Sequence, residues 1–86
     1  MARRVRIAGM GVVSPIGVGV EETLASLMAG RSGIGLPRHC ATTLDVPVGE
    51  VRLTDNELRS SLGTQAHSRT ALLATAAASE AAADAN

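Results

Sequence analysis

The chain has 86 residues, eight basic side chains that are all arginine, eight acidic ones and a net charge of zero. Charge this balanced, with no Phe, Tyr or Trp, excludes the basic, aromatic-studded surface of a nucleic-acid binder. One cysteine, Cys40, excludes an internal disulfide, and with His39 and His67 it leaves a structural zinc site short of a ligand.

A chain of this length is one domain at most. Its apolar share of 45% is raised by alanine, which has little area to bury. Burial gives ~25 cal/mol per Å², against an ordering cost of ~1.5 kcal/mol per residue. Cores of Val, Leu, Ile, Met and Ala do not clearly win that balance, so the composition suits one layer of a larger domain. Arg3, Arg4 and Arg6 precede an apolar run that is broken by Gly9 and Gly11 and stopped at Ser14-Pro15. No cleavage-site pattern follows, which speaks against a signal peptide, and the flanks of a twin-arginine signal are missing. The apolar run Ala71 to Ala78 is far short of the ~20 residues that span a bilayer.

The predicted elements follow in order. Arg4 to Val13 reads as a strand, with Val5 and Ile7 on one face and a parity change after Gly9 toward Met10 and Val12. Such a slip predicts a bulge or a passage to burial on both faces. Ser14-Pro15 ends it, because proline donates no ladder bond. Val20 to Ala29 reads as a helix, with Val20, Leu24, Leu27 and Met28 in one stripe. Glu21 and Glu22 suit its first turn, Gly19 is a weak N-cap, and Gly30 fits the left-handed position after its end.

Arg31 to Pro47 shows no periodicity and reads as a loop. Val48 to Leu53 reads as a short strand. Thr54-Asp-Asn-Glu57 is a capping box, opening a helix to about Leu62 that Gly63 stops. Ser68 caps a last helix, Arg69 to Ala85, with a narrow apolar face at Leu72, Leu73, Ala76 and Ala77. Glu80 and Asp84, one turn apart, predict a solvated face. Asn86 tolerates the left-handed conformation and suits the helix end.

Several motifs invite chemistry. Gly9-Met-Gly11 after a strand resembles the start of a dinucleotide fingerprint, but the third glycine falls at Ser14 and Pro15 blocks entry into a helix. The plainer reading is that Gly9 and Gly11 admit a neighbouring backbone. Cys40 beside His39 suggests a nucleophile and base, yet adjacent side chains diverge and nothing supplies the positive setting that lowers a thiol pKa. Nothing in the sequence brings His67 to Cys40. Arg31, just after the first helix, is a candidate anion contact; the commoner role is to satisfy helix carbonyls or pair with a carboxylate.

Three segments carry a family resemblance. Arg4-Val-Arg-Ile-Ala-Gly-Met-Gly-Val-Val-Ser-Pro-Ile-Gly17, then Val20-Glu-Glu-Thr through Ala-Gly-Arg-Ser-Gly-Ile34, then Ser68-Arg-Thr-Ala-Leu-Leu-Ala-Thr-Ala-Ala77 resemble the N-terminal segment of the β-ketoacyl synthases. They cover roughly half of the chain in the family's order; the middle, Leu36 to Ala66, resembles it less. The resemblance implies an α/β, thiolase-like fold, of which residues 1–86 would be a partial N-terminal domain: a first strand and about three helices. It implies a parent acyltransferase that catalyses decarboxylative Claisen condensation of acyl and malonyl thioesters, in fatty acid or polyketide biosynthesis. The parent would be cytoplasmic and homodimeric, with acyl carrier protein as partner and neither nucleic acid nor membrane.

Family members run to roughly 400 residues, beyond the usual domain range. Their catalytic Cys and two His residues belong to later segments. Cys40 comes too early to match the nucleophile, so no residue is assigned to catalysis, cofactor or metal. Two alternatives stand beside this reading: a non-catalytic, chain-length-factor-like partner subunit, and a small structural α+β domain whose likeness is accidental.

Overall fold

The computed structural model describes residues 3–39 and 42–86. The chain turns at Pro15-Ile16, so that β1 (Val13–Ser14) pairs antiparallel with β2 (Gly17–Val18) in the register Val13 to Val18 and Ser14 to Gly17. The Gly19 amide donates to the Val12 carbonyl at 2.9 Å and extends the pairing by one step. Helix α1 (Val20–Ala29) follows, then β3 (Ile34–Gly35) and β4 (Val48–Gly49), antiparallel with Ile34 opposite Gly49 and Gly35 opposite Val48. Helices α2 (Asp55–Leu62) and α3 (Arg69–Asp84) complete a mixed α/β arrangement.

The helix limits agree with the local signals. Gly30 and Gly63 stand at φ 69° and 64° after α1 and α2, a region that costs residues with a Cβ. The capping box forms in both directions: the Glu57 amide donates to Thr54 Oγ1 at 3.1 Å and the Thr54 amide to Glu57 Oε1 at 3.2 Å. The Ser68 hydroxyl accepts from the Ala71 amide. The far end of α3 differs from expectation. Ala85 closes it in the ordinary right-handed conformation, and among the described residues no non-glycine has positive φ. Asn86 therefore makes no left-handed stop.

The core lies between α2, α3 and the approach to α2, where Leu72, Leu58 and Val51 are buried. Leu73, Ala76 and Ala77 are half-buried beside them, as their spacing implied. Two arginines fasten this unit. Arg69 donates to Asp55 Oδ1 at 2.7 Å and to the Val51 carbonyl at 2.9 Å. Arg59 donates to the carbonyls of Ala66 and His67 and to Asn56 Oδ1, holding the loop between the helices.

Four expectations need correction. Residues 3–12 form no strand among the described residues, their one backbone partner being Gly19, whose amide donates to the Val12 carbonyl. A strand needs a second backbone, and here the Met10 and Val12 amides meet side-chain carboxylates instead. The segment 31–47 is not all loop, because Ile34-Gly35 finds a partner in Val48-Gly49. The strand expected over 48–53 shrinks to those two residues for the same reason: β3 offers only two to pair with. Finally, the α1 stripe points outward. Leu24, Leu27 and Met28 are 56%, 64% and 83% exposed, whereas buried Ser26 donates to the Ile16 carbonyl at 2.6 Å and Thr23 and Ser14 share a hydrogen bond at 3.0 Å. Hydroxyl groups, not the apolar stripe, dock α1 on the hairpin.

The accessible surface is 6705 Å². A compact monomer of 8.7 kDa exposes about 4,700 Å². The Cα radius of gyration is 15.3 Å, against about 12 Å for a compact chain of this length. With Val5 and Ile7 exposed beside the α1 stripe, the surplus of about 2,000 Å² matches a large protein interface.

Candidate functional site

The N-terminal segment is placed by α3. A Cβ at Gly11 would overlap the Ala77 carbonyl oxygen and lie 2.8 Å from the Ala81 nitrogen; one at Gly9 would overlap the Ala81 carbonyl and lie 2.7 Å from the Ala85 nitrogen. Glycine on one side and alanine at i, i+4 and i+8 on the other let two backbones touch. The plain reading of Gly9-Met-Gly11 thus holds.

The intervening amides are also occupied. Met10 N–H donates to Asp84 Oδ2 at 3.0 Å, and Val12 N–H donates to Glu80 Oε1 at 2.8 Å. The second Glu80 oxygen accepts from Val20 N–H at 2.9 Å. Val20 opens α1, and Gly19 before it offers no side-chain cap. Glu80 therefore serves as the cap of another helix, at the end where the dipole favours negative charge. The solvated Glu80/Asp84 face expected from like-charge spacing is instead the face that holds the segment. The Met10 and Val12 amides and the two glycines are thus turned toward α3.

A groove of about 570 Å³ runs along the β3–β4 pair, with Ile34, Leu36 and Val48 beside Arg38, His39, Glu50 and Arg52. The Glu50 carboxylate accepts from two successive amides, Arg38 at 2.6 Å and His39 at 3.0 Å. A smaller recess of about 70 Å³ adjoins it, sharing Ser32 and Arg52 and adding Arg31, Ser14 and Glu22. The Arg31 amide closes the end of α1 by donating to the Ser26 carbonyl at 2.9 Å. Its guanidinium does not take up the expected pairing with helix carbonyls or a carboxylate among the described residues.

Of the residues weighed from sequence for nucleophile or metal chemistry, His39 and His67 fall in different places among the described residues. His39 lines the groove, while the His67 carbonyl is held by Arg59 in the α2–α3 loop. Cys40 lies outside the described residues. Among the described residues no group of three or more His, Cys, Asp or Glu side chains is placed to hold a metal ion. The Glu57 carboxyl is held below the ordinary carboxylate range, chiefly by the Thr54 amide and then by the Thr54 hydroxyl, with a lesser contribution from the charge of His39. That shift belongs to helix capping. No helix among the described residues is long and apolar enough to cross a membrane.

What the described residues build is a glycine-bearing segment, a proline hairpin and a capped helix held on an alanine-rich one. Residues 2–85 match the family model described as "Beta-ketoacyl synthase, N-terminal domain". The chain belongs to that family, and its mixed α/β elements are an N-terminal segment of a thiolase-like fold. Among curated proteins it is similar to the 3-oxoacyl-[acyl-carrier-protein] synthase 2 of Vibrio cholerae serotype O1, with 49% identity over 41 residues. That stretch covers 48% of this chain and 10% of the relative. No solved structure matches the chain. A likeness extending over residues 2–85 removes the accidental-resemblance alternative.

Proposed function

We propose that the chain is the N-terminal segment of a β-ketoacyl-[acyl-carrier-protein] synthase. The complete enzyme would catalyse decarboxylative Claisen condensation in fatty acid or polyketide biosynthesis. It would work in the cytoplasm as a homodimer, with acyl groups delivered by acyl carrier protein. The family match over residues 2–85 carries this reading, and the 3-oxoacyl synthase relative supports it. In that reaction a cysteine thiolate takes the acyl group, loss of CO₂ from the malonyl thioester yields an enolate, and the enolate carbon attacks the acyl thioester. Positioned donors must meet the developing oxyanion. The part assigned to residues 3–39 and 42–86 is to seat the first segment and α1 on α3, through Glu80, Asp84 and the two glycines.

A chimera tests this. The corresponding segment of the Vibrio cholerae relative is replaced by this chain, and condensation of acyl and malonyl thioesters is measured. The expected result is a folded chimera that turns over. A chimera that does not fold, or that folds without forming the carbon–carbon bond, would overturn the reading of this chain as a working N-terminal segment of such a synthase.

A further inference from the structure

We propose that the β3–β4 groove binds a phosphate monoester that carries a short apolar chain, a reading independent of the condensing reaction. Three arginines border the groove and the recess that adjoins it. Arg31 and Arg52 line the small recess, and Arg52 and Arg38 line the groove beside it. None makes a side-chain hydrogen bond or ion pair among the described residues. Arg59 and Arg69, by contrast, are tied to carbonyls, an amide oxygen and a carboxylate.

Two carboxylates stand nearby. Glu50 has both oxygens on backbone amides, which offset its charge, and Glu22 borders the recess. Three cations against two anions, one of them hydrogen-bonded, leave an attraction for a further anion. Planar guanidinium forks match phosphate oxygens in pairs, and a phosphate monoester has three terminal oxygens to share among them. Next to this charge, Ile34 and Leu36 are 64% and 65% exposed, giving an apolar wall to a groove of about 570 Å³. That volume falls within the range of small-molecule sites. A charged head at Arg52 and an apolar tail along Ile34 and Leu36 use both features.

The test reads the arginines directly on the full 86-residue chain, and self-association does not prevent it. Phenylglyoxal modification is followed site by site by mass spectrometry, with hexyl phosphate, inorganic phosphate or hexanol added. Hexyl phosphate is expected to slow modification of Arg31, Arg38 and Arg52 and to leave Arg4 and Arg6 unchanged. Inorganic phosphate is expected to protect the same three at concentrations about tenfold higher, because it lacks the buried tail, and hexanol not to protect them. In Arg52→Gln, half-protection at Arg31 and Arg38 is expected to need about tenfold more hexyl phosphate, with circular dichroism unchanged. Equal protection of all arginines, no protection at saturation, or equal potency of the two phosphates would overturn the proposal. So would stronger protection by an acidic peptide than by hexyl phosphate, which would point to a protein partner. Because no step involves condensation, failure here leaves the chimera result untouched, and the reverse holds equally.

Discussion

Removing the Glu80 carboxylate tests the central contact of the fold. Its two oxygens accept from Val12 and Val20 at 2.8 and 2.9 Å, joining the N-terminal segment, the start of α1 and the body of α3. A hydrogen bond to a charged group contributes ~1.5–3 kcal/mol. The site is half-buried, so about half of that per bond is appropriate, and two bonds give about 2 kcal/mol. Small domains are stable by only ~0.05–0.15 kcal/mol per residue, so the loss is a large share of the total. In Glu80→Ala the Val12 and Val20 amides are expected to exchange hydrogen about 30-fold faster, the equivalent of 2 kcal/mol. Leu72 in the helical core reports global opening and is the internal reference. Glu80→Gln keeps one acceptor oxygen and turns an N–H₂ toward the other amide, so one of the two amides is expected to lose protection and the other to keep it. Unchanged exchange at both Val12 and Val20 in Glu80→Ala would refute the capping argument, because the two amides would then owe their protection to something else.

Four further outcomes are expected. Gly11→Leu forces α3 away from the segment, since even a Cβ overlaps the Ala77 carbonyl; overpacking of this kind costs about 1–3 kcal/mol, read as faster hydrogen exchange at the Met10 and Val12 amides. The capping box makes α2 sensitive to acid: the folded Glu57 pKa is lowered, so its contribution is complete above the unfolded carboxyl pKa and is lost as pH falls through the lower folded value. A pH titration of α2 amide exchange shows this, and Thr54→Ala flattens it. The surplus accessible surface predicts that the chain alone self-associates and melts without a sharp cooperative transition, measured by light scattering and circular dichroism; a monodisperse monomer with a sharp melt would contradict that. The chain alone is also expected not to condense acyl and malonyl thioesters, and turnover lost in Cys40→Ala would show the reverse.

The sequence by itself determined what depends on neighbours along the chain. The end of α1, the limits of α2, the start of α3, the Thr54–Glu57 box and the glycine stops at Gly30 and Gly63 all arise from bonds within a few residues. Family membership was also legible, because Arg4 to Gly17, Val20 to Ile34 and the α3 segment are ordered and spaced as in that family. Partners distant in sequence were not legible. Like charges at Glu80 and Asp84 signal solvent to any local rule, yet they accept from amides 60 to 74 positions away. The alternation at Val5 and Ile7 predicts a strand, but a ladder requires a second backbone, and only the tertiary structure shows which groups meet Met10 and Val12. The Leu24, Leu27 and Met28 stripe fixed the helix and not the direction it faces; α1 docks through Ser26, whose hydroxyl finds the Ile16 carbonyl only after the chain has turned at Pro15-Ile16. The placing of Arg38 and Arg52 on one groove is likewise tertiary: pairing of Ile34-Gly35 with Val48-Gly49 brings together arginines separated in the chain, and no spacing in the sequence encodes that pairing.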